Sequence, residues 1–373
     1  MPPDFENFPE ARKASFLKVR DLSRKHPIVG AYCTFVPCEL IRAAGAVQIS
    51  LCSGSDETIP AAETDLPVNF CPLVKSSYGF AKTNKCPYFH FSNLIVGETT
   101  CDGKKKMFEY LTKIKPVHVI HLPQTTDEGS IALLKTEFKK FAKQLEQTFG
   151  TTLTVDSIRE QIRAVNMERL ALQDVCQLAK SNPPKLSGKE LFAMFNSYST
   201  TFMHEEKLAT LKNLHEAYTN RPAPDTHQKR ILITGSPLTA ATTKVIDDIE
   251  AAGGSVVYIE GCIGSRPNEL LVDEENSDVY DALARKYIRI PCSCMTPNTE
   301  RLETIGKKIE EYCVDGVVDM VLFACHTFNA ESTKLREYVT IIKETPFIHI
   351  ETDYSQADIG QISTRLSAFL EML

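Results

Sequence analysis

Apolar and polar positions alternate along this chain in blocks that predict an α/β protein. Short apolar runs with the length and composition of buried strands are separated by stretches with helical periodicity. The runs cover residues 27–32, 46–51, 93–97, 116–121, 230–235, 255–260, 317–324 and 346–350. Because strands that alternate with helices pair in parallel, we expect doubly wound parallel sheets.

Helical stretches of two kinds accompany these strands. An amphipathic helix is predicted for residues 5–26 and a terminal helix from about Asp358. Two further helices, at 37–45 and 239–252, each connect two predicted strands. Pro37 favours a first helical turn, and the glycine at position 45 favours a helix end.

The middle of the chain has a different pattern. From about residue 126 to residue 220, strand-like runs are absent and charged helical periodicity takes over. A proline-containing stretch at 221–224 closes this region. We therefore predict an N-terminal α/β domain, a helical insertion or bridging segment, and a C-terminal α/β domain, at residues 1–125, 126–225 and 226–373.

A faint internal repeat indicates that the two α/β domains are alike. Residues 43–52 and 251–262 both read as a helix that ends in Ala-Ala-Gly, then a strand, then a cysteine. Residues 94–101 and 321–325 likewise run from a strand into a cysteine, in the same order along the chain. The expected fold is therefore two Rossmann-like doubly wound parallel-sheet domains with a helical insertion between them.

Composition narrows the class of protein. The 373 residues carry a formal net charge of −6 and are 43% hydrophobic, as in an ordinary globular protein. The mildly acidic balance argues against nucleic acid as a partner, because phosphate binding needs a basic field. No stretch approaches the roughly 18 uncharged apolar residues of a membrane span, and no secretory signal is recognisable. We expect a cytoplasmic protein that contacts neither membrane nor nucleic acid.

Twelve cysteines are the chemical feature to explain. Stable disulfides are rare in a reducing compartment, so these thiols are either buried or metal ligands. Cys33, Cys52, Cys101, Cys262 and Cys325 each stand at or just after the end of a predicted strand. In open parallel sheets that edge is where ligands bind. Strand-end placement therefore favours a ligand role for these five thiols.

The spacing of the cysteines leaves the metal open. Thiolates favour zinc, Cu(I) or iron–sulfur clusters. The near pairs are Cys292 with Cys294 and Cys33 with Cys38, whereas structural zinc usually draws on paired Cys-x2–4-Cys knuckles. Ferredoxin-type and redox Cys-x-x-Cys runs are absent. Structural zinc, no metal at all, and a larger cluster between two domains all stay open on this basis, and Cys176 is assigned to helix packing.

The sequence signals for other kinds of binding site are weaker. The glycines at 30 and 235 lack the three-glycine dinucleotide fingerprint, and no phosphate-binding P-loop occurs, so we expect no nucleotide site. The basic run at 102–106 reads either as a solvated helix face with Asp102 as N-cap, or as a patch for a CoA phosphate or an acidic partner surface.

Two titratable residues beside the strand-end cysteines are candidate catalytic groups. His326 directly follows Cys325 and either has a structural role or donates a proton or a hydrogen bond to a sulfur. Glu98 stands three residues before Cys101 and acts either as an acid or base or as a helix cap.

Five segments together resemble a known family. They are YCTFVPCEL at 32–40, NFCPLVKSS at 69–77, GETTCDGKKK at 97–106, ACHT at 324–327 and IETDYS at 350–355. These segments resemble the 2-hydroxyacyl-CoA dehydratase and benzoyl-CoA reductase family, and most of all its single-subunit double-cubane cluster branch. The resemblance runs over essentially the whole chain.

The resemblance implies a cofactor and partners. It implies two Rossmann-like domains with an iron–sulfur cluster between them, either a double cubane with six cysteine ligands or, as the alternative, a single 4Fe-4S cubane with three. It further implies a homodimer, a small-molecule or acyl-CoA substrate, and a separate ATP-hydrolysing iron–sulfur activator protein that supplies single electrons at low potential.

The ligands are carried over from the matching motifs. Cys33, Cys71, Cys101 and Cys325 match the family pattern. Cys262 and Cys294 are the choices for the other two ligands, with Cys292 as a rival to Cys294. Where relatives tend to carry a cysteine after the fifth strand, this chain has Ser236. The remaining cysteines Cys38, Cys52, Cys86 and Cys313 are assigned to packing or to positions behind the ligands.

The sequence thus supports one main hypothesis and two alternatives. The main hypothesis is the iron–sulfur catalytic component of an ATP-driven two-component reductase that acts on a small substrate. The first alternative is a subunit of an (R)-2-hydroxyacyl-CoA dehydratase with a ketyl radical mechanism, and the second is an electron-storage or transfer protein without its own substrate. A low-potential cluster needs a site that excludes water and places few positive charges at the sulfurs, and we expect both here.

Overall fold

The structure is a computed structural model that describes residues 1–222, 228–237 and 240–373. Its strands and helices follow one another as α1 (Glu10–Ser23), β1 (Ile28–Ala31), α2 (Cys38–Ala43), β2 (Val47–Ser50), α3 (Ile59–Ala62), α4 (Pro72–Lys82), α5 (Pro87–Phe91), β3 (Leu94–Glu98), α6 (Asp102–Leu111), β4 (Val117–Ile120), α7 (Glu128–Phe149), α8 (Val155–Gln177), α9 (Gly188–Thr200), α10 (His204–Thr219), β5 (Lys229–Gly235), α11 (Ala240–Ala251), β6 (Gly254–Ile259), α12 (Val279–Tyr287), α13 (Thr299–Glu311), β7 (Gly316–Leu322), α14 (His326–Glu337), β8 (Phe347–Thr352) and α15 (Ile359–Glu371).

The strands form two separate four-stranded sheets in which every pairing is parallel. The strand orders are β2-β1-β3-β4 and β6-β5-β7-β8, which are the same order in each half of the chain. Strands β1, β3, β6 and β7 are buried along their whole length, as parallel strands covered by helices on both faces require. The predicted α/β class with two doubly wound parallel sheets is confirmed.

The chain divides into two compact units, each of which contains one sheet. Unit 1 comprises Met1–Asn166 and Val272–Arg289, and unit 2 comprises Met167–Leu271 and Ile290–Leu373. The division therefore falls inside α8, and α12 belongs to unit 1.

Contacts within unit 1 explain why the chain returns to it. The Val272 amide donates to Asn166 Oδ1 at 3.0 Å, and Arg285 of α12 donates to both carboxylate oxygens of Glu128 at 2.8 Å. The predicted ranges 1–125, 126–225 and 226–373 differ from this grouping, because they follow secondary structure and not side-chain contacts. The predicted boundary between 225 and 226, and the predicted helix start at Thr239, lie outside the described residues.

Close packing requires glycine at two strand positions. A Cβ on Gly97 of β3 would lie 2.2 Å from the ring of Phe108, so the missing side chain lets α6 pack directly on the sheet. A Cβ on Gly235, at the end of β5, would lie 2.0 Å from the carbonyl oxygen of Met320, and its φ of +122° also favours glycine. Gly97 lies one residue before the end of β3, which leads to Cys101, and Gly235 ends β5, which leads to Ser236.

In the part of the chain that the structure describes, no helix has the length and apolar character needed to cross a membrane.

Candidate thiol site

The predicted ligands lie at strand ends and helix starts. Cys33 and Cys101 follow β1 and β3 in unit 1, and Cys262 and Cys325 follow β6 and β7 in unit 2. Cys71, Cys101 and Cys325 are also the N-cap residues of α4, α6 and α14. Because helix N-termini stabilise negative charge, these positions favour the thiolate form that binds metals.

A buried lysine organises the thiols of unit 1. Lys104, in the first turn of α6, is only 13% exposed, and its Nζ donates to the carbonyl oxygen of Tyr32 at 3.2 Å. Cys52 Sγ donates to the same oxygen at 3.2 Å, and the Lys104 amide donates to Cys101 Sγ at 3.5 Å. Burial opposes the charge of Lys104, but Cys33 and the acidic groups around it hold its pKa well above the ordinary value.

Glu98 is the counter-ion of this lysine. It is the last residue of β3, is fully buried, and accepts hydrogen bonds on Oε1 from Lys104 Nζ and, at 2.7 Å, from Thr100 Oγ1. Among the described residues, its second oxygen Oε2 has no hydrogen-bond partner. The carboxylate therefore forms an ion pair beside the thiols and does not cap α6, whose N-cap is Cys101. An acid or base role for Glu98 stays a prediction.

The start of α4 lies beside the start of α6. A Cβ on Gly103 would be 3.7 Å from the ring of Phe70 and 3.8 Å from Val74 Cγ2. Phe70 immediately precedes Cys71, and Gly103 follows Cys101 by two residues. The structure therefore brings the N-terminal ends of the two cysteine-capped helices together within unit 1.

A second buried carboxylate in unit 1 was not singled out from the sequence. Glu39 lies in α2 with no exposed surface, and the Tyr287 hydroxyl donates to its Oε2 at 2.7 Å. The Cys38 amide donates to the same hydroxyl at 3.4 Å. Glu39 belongs to the segment 32–40 that carries the family resemblance, which was the one available signal. Its partner Tyr287 is remote in sequence and carried none.

A buried arginine organises the thiols of unit 2. The Arg266 side chain has no exposed surface, and its Nη1 donates to Cys262 Sγ at 3.4 Å. Its Nη2 donates to Glu260 Oε2 at 2.7 Å and to the Gly235 carbonyl oxygen at 3.1 Å. Thr234 Oγ1 also donates to Glu260 Oε2, at 2.5 Å. Burial opposes the charge of Glu260, but Arg266 and its neighbours lower the pKa of that carboxyl to about 2.

Cys292 and Cys294 form a buried pair of thiols in unit 2. A hydrogen bond with Cys294 lowers the pKa of Cys292 to about 6 against the effect of burial, with Arg266 adding to the same direction. The Cys292 carbonyl oxygen accepts from Asn298 Nδ2 at 2.9 Å, which fixes the loop between α12 and α13. The structure therefore places the predicted ligand Cys294 against its rival Cys292.

An aromatic contact fixes the helix that Cys325 caps. The guanidinium carbons of Arg266 and Arg301 each lie 5.0 Å from the ring centroid of Phe328, in the first turn of α14. Ala324 adopts a left-handed φ of +56° just before Cys325, where β7 turns into the helix. Cation–π contacts of this kind stabilise the geometry and link the start of α14 to Arg266.

Two expectations about helix starts are wrong. Asp102 does not cap α6: Cys101 occupies that position, and Asp102 is the first helical residue, exposed and paired with Lys105 at 2.6 Å. The basic run is not a uniformly solvated face either, because Lys104 points inward. His326 is exposed as the first residue of α14, and its predicted contact with a sulfur stays a prediction.

Two buried cations lie near the predicted ligands, where the sequence analysis expects few positive charges. Arg266 donates from its guanidinium to Cys262 Sγ, whereas Lys104 donates to Cys101 Sγ from its backbone amide and directs Nζ to the Tyr32 carbonyl oxygen. Each cation is paired with a buried carboxylate, Glu98 or Glu260. The pairs satisfy the rule that buried charges are compensated, so the net charge added at the thiols is small.

The donor set consists of thiols, which bind zinc, Cu(I) or iron–sulfur clusters. Within the described ranges, no three His, Cys, Asp or Glu side chains come together as ligands of one metal ion. A cubane is a different case, because each cysteine binds a separate iron. Thiols at helix starts, with N–H groups and buried cations directed at sulfur, suit such an anionic group.

A cavity of about 310 Å³ reaches two further thiols in unit 1. Cys52 and Cys86 line it, between α1, the end of β2 and the start of α5. Burial raises the pKa of Cys86 to about 11, and the Phe89 amide donates to its Sγ at 3.4 Å. Cys86 is therefore a protonated helix cap at neutral pH, in agreement with its assignment to packing.

Comparison with known proteins identifies relatives along the whole chain. The family described as 2-hydroxyglutaryl-CoA dehydratase, D-component, matches residues 33–373. The putative dehydratase subunit YjiM of Escherichia coli (strain K12) is 49% identical over 382 residues, which cover 100% of this chain and 98% of the relative.

More distant relatives have named reactions. The (R)-phenyllactyl-CoA dehydratase beta subunit of Clostridium sporogenes is 24% identical and covers 99% of this chain and 98% of its own. A benzoyl-CoA reductase subunit of Thauera aromatica is 22% identical over 83% of this chain and 80% of the relative. Both dehydratase and reductase subunits are therefore similar to this chain along most of its length, and the chain is an enzyme component of the dehydratase or reductase kind. The predicted resemblance is confirmed: the chain belongs to the 2-hydroxyacyl-CoA dehydratase family.

Proposed function

We propose that this chain is the iron–sulfur catalytic component of an ATP-driven, low-potential two-component reductase that acts on a small substrate. The observation that carries the proposal is that in each unit a residue with a buried cationic side chain donates to a strand-end thiol: Lys104 donates from its amide to Cys101, and Arg266 donates from its guanidinium to Cys262. Arrangements of several thiols with hydrogen-bond donors at sulfur are typical of iron–sulfur ligation. Membership of the family supports the same assignment.

The proposed ligands divide equally between the units. Unit 1 contributes Cys33, Cys71 and Cys101, and unit 2 contributes Cys262, Cys294 and Cys325. Three thiols in each unit agree with the three cysteines per cubane that the resemblance implies, which favours a double cubane over a single 4Fe-4S cluster. Such a group supplies one-electron transfer at a potential set by its surroundings.

The protein has three tasks in this proposal. The helix N-termini at Cys71, Cys101 and Cys325 direct N–H groups toward the sulfurs. Lys104 and Arg266 are themselves buried, and their N–H donors are directed to sulfur and to carbonyl oxygens. The cofactor carries the difficult chemistry, and the chain orients it and controls access to it.

The partners belong to the same proposal. An ATP-hydrolysing iron–sulfur activator protein supplies the electron, and a second copy of the chain completes a homodimer in the cytoplasm. The exposed part of the basic run, with Lys105 and Lys106, offers positive charge to an acidic partner surface or to a CoA phosphate.

A dehydratase subunit is the second candidate. It is favoured by the dehydratase beta subunit of Clostridium sporogenes, which aligns with this chain over nearly its whole length. In that case the electron serves to remove water from a 2-hydroxyacyl-CoA and is returned afterwards. The dehydratase would then consist of this chain and a second, different subunit.

Anaerobic turnover separates the two candidates. The purified chain and its activator are given ATP with either small unsaturated molecules or a 2-hydroxyacyl-CoA. We expect ATP-dependent reduction of the small molecule, its loss in Cys101→Ser, and its retention in Cys313→Ser, an exposed cysteine outside the thiol sets. Loss of water from the acyl-CoA, with no net reduction, would establish the dehydratase instead. No ATP-dependent turnover of either substrate contradicts both.

A further inference from the structure

We propose that each unit has a buried ion pair, Lys104–Glu98 in unit 1 and Arg266–Glu260 in unit 2, that tunes the reduction potential of the thiol-bound group. In each pair the cation raises the potential and the carboxylate lowers it. This inference rests on the proposed function. It makes all four side chains positioning residues, because they act through the sulfurs and not on substrate.

The pair in unit 1 has its ammonium on the side of Cys52. Lys104 Nζ and Cys52 Sγ both donate to the Tyr32 carbonyl oxygen at 3.2 Å, and the backbone amide of the same lysine donates to Cys101 Sγ at 3.5 Å. Glu98 contacts Lys104 Nζ, has no exposed surface, and is further held by Thr100 Oγ1 at 2.7 Å. The amide contact holds Lys104 next to Cys101, and the carboxylate balances the charge of its side chain.

The pair in unit 2 repeats this orientation. Arg266 Nη1 donates to Cys262 Sγ at 3.4 Å, while its Nε and Nη2 donate to the Glu260 carboxylate. Thr234 Oγ1 holds the carboxylate at 2.5 Å. Arg266 has no exposed surface and Glu260 is only 2% exposed, so water does not screen the pair.

The two pairs are not remnants of one duplicated pair. The common strand order makes β3 equivalent to β7 and β6 equivalent to β2. Glu98 ends β3, an inner strand, whereas Glu260 follows β6, an edge strand. The same combination of carboxylate, threonine hydroxyl, cation and thiol has therefore arisen at different places in the two sheets, which points to a shared task.

Electrostatics gives the sign of each contribution. Reduction adds negative charge to the thiol-bound group, so a nearby cation stabilises the reduced state and a nearby anion destabilises it. Both effects are large in a buried site, where the effective dielectric constant is about 20 or less. Pairing keeps the sum small, which reconciles buried cations with a low potential.

The test is a potentiometric titration of the anaerobically loaded protein, followed by electron paramagnetic resonance. We expect Lys104→Gln to move the midpoint to more negative values and Glu98→Gln to more positive values, each by at least about tenfold in the ratio of reduced to oxidised protein, or about 59 mV for one electron. The double variant Lys104→Gln/Glu98→Gln should return toward the wild-type midpoint, because the two opposite shifts cancel, and any departure from their sum measures the coupling of the two charges.

Unit 2 is tested with Arg266→Gln and Glu260→Gln, for which the same opposite signs are expected. Lys104→Arg and Arg266→Lys keep the charge and should keep the midpoint near that of wild type, even where the neutral variants load poorly.

Lys115→Gln and Glu137→Gln are matched controls, since both residues are partly or fully buried in unit 1 and hydrogen-bonded away from the thiols.

The outcomes separate the inference from the function on which it rests. Loaded variants whose midpoints stay at the wild-type value, or shift in the same direction for cation and carboxylate, overturn the inference and leave the proposed function standing. Shifts as large in the two controls also overturn it. Wild-type protein that holds no iron overturns both.

Discussion

At the scale of single residues, the structure is governed by how buried charge is compensated. Glu260 and Arg266 are buried and face each other, and burial of either charge alone is costly. Removing one partner of an isolated buried pair typically destabilises a protein by about 3–5 kcal/mol, because the other is left uncompensated. Glu260 Oε2 also lies 3.5 Å from Arg301 Nη2, so two buried cations share this carboxylate. This constraint explains why a buried carboxylate accompanies each buried cation near the thiols.

Cys86 provides a pH-dependent prediction at this scale. Because burial raises its pKa to about 11, its thiolate fraction at pH 8 is small and rises until the pH passes that value. The rate of alkylation by iodoacetamide, followed by mass spectrometry of the Cys86 peptide, should therefore keep rising up to about pH 11, in protein that stays folded by circular dichroism. The exposed Cys313 serves as the control for access of the reagent. A rate that levels off near pH 9 contradicts the assignment.

At the scale of elements, close contact between β3 and α6 positions Cys101 and Lys104. The ring of Phe108 fills the space that a side chain at position 97 would need. Phe108, Met107 and Leu111 on the same helix belong to the core cluster of unit 1. The start of α6 is therefore set by packing along the rest of the helix.

Gly97→Ala tests this contact. The added Cβ would lie 2.2 Å from the Phe108 ring, so the helix must shift, and overpacking of this kind typically costs about 1–3 kcal/mol. We expect a lower midpoint of thermal unfolding. Gly360→Ala, a helical glycine with nothing within 4 Å of the added Cβ, should leave the midpoint unchanged or raise it. Equal midpoints for Gly97→Ala and wild type would contradict the packing argument.

The strands that are buried on both sides were predictable from their continuous apolar runs. Strands such as β5 and β7 lie close to their predicted positions. The short helices α3 and α5, with four and five residues, have too few turns for periodicity to show. Helix α4 was also missed, because all of its residues except the last are buried, which removes the polar face that marks an amphipathic helix.

At the scale of the whole molecule, the sequence predicted two α/β halves but not how the chain is shared between them. The long helix α8 carries one continuous pattern across the division at Asn166, so periodicity gave no sign of a boundary. The α12 helix packs on α7 through contacts such as Tyr287 with Phe138, whose ring centroids lie 5.7 Å apart although the residues are remote in sequence. Such contacts leave no local signal.

The candidate site was also predictable only in part. Strand-end placement located Cys33, Cys101, Cys262 and Cys325, because the end of an apolar run is visible in the sequence. The ion pairs at the thiols were not visible, since a lysine within a basic run, such as Lys104, looks like surface. Its inward direction follows from the three-dimensional position of the first turn of α6.

The central proposal is that the predicted thiols of each unit are ligands of an iron–sulfur cofactor. The most direct measurement is the iron and acid-labile sulfide content of the anaerobically purified protein, beside Cys101→Ser, Cys325→Ser and the control Cys313→Ser. We predict about eight irons per chain for a double cubane, a marked loss in the first two variants, one from each unit, and none in the control. A colourless protein with about one zinc and no iron, or unchanged iron in both ligand variants, would contradict the claim.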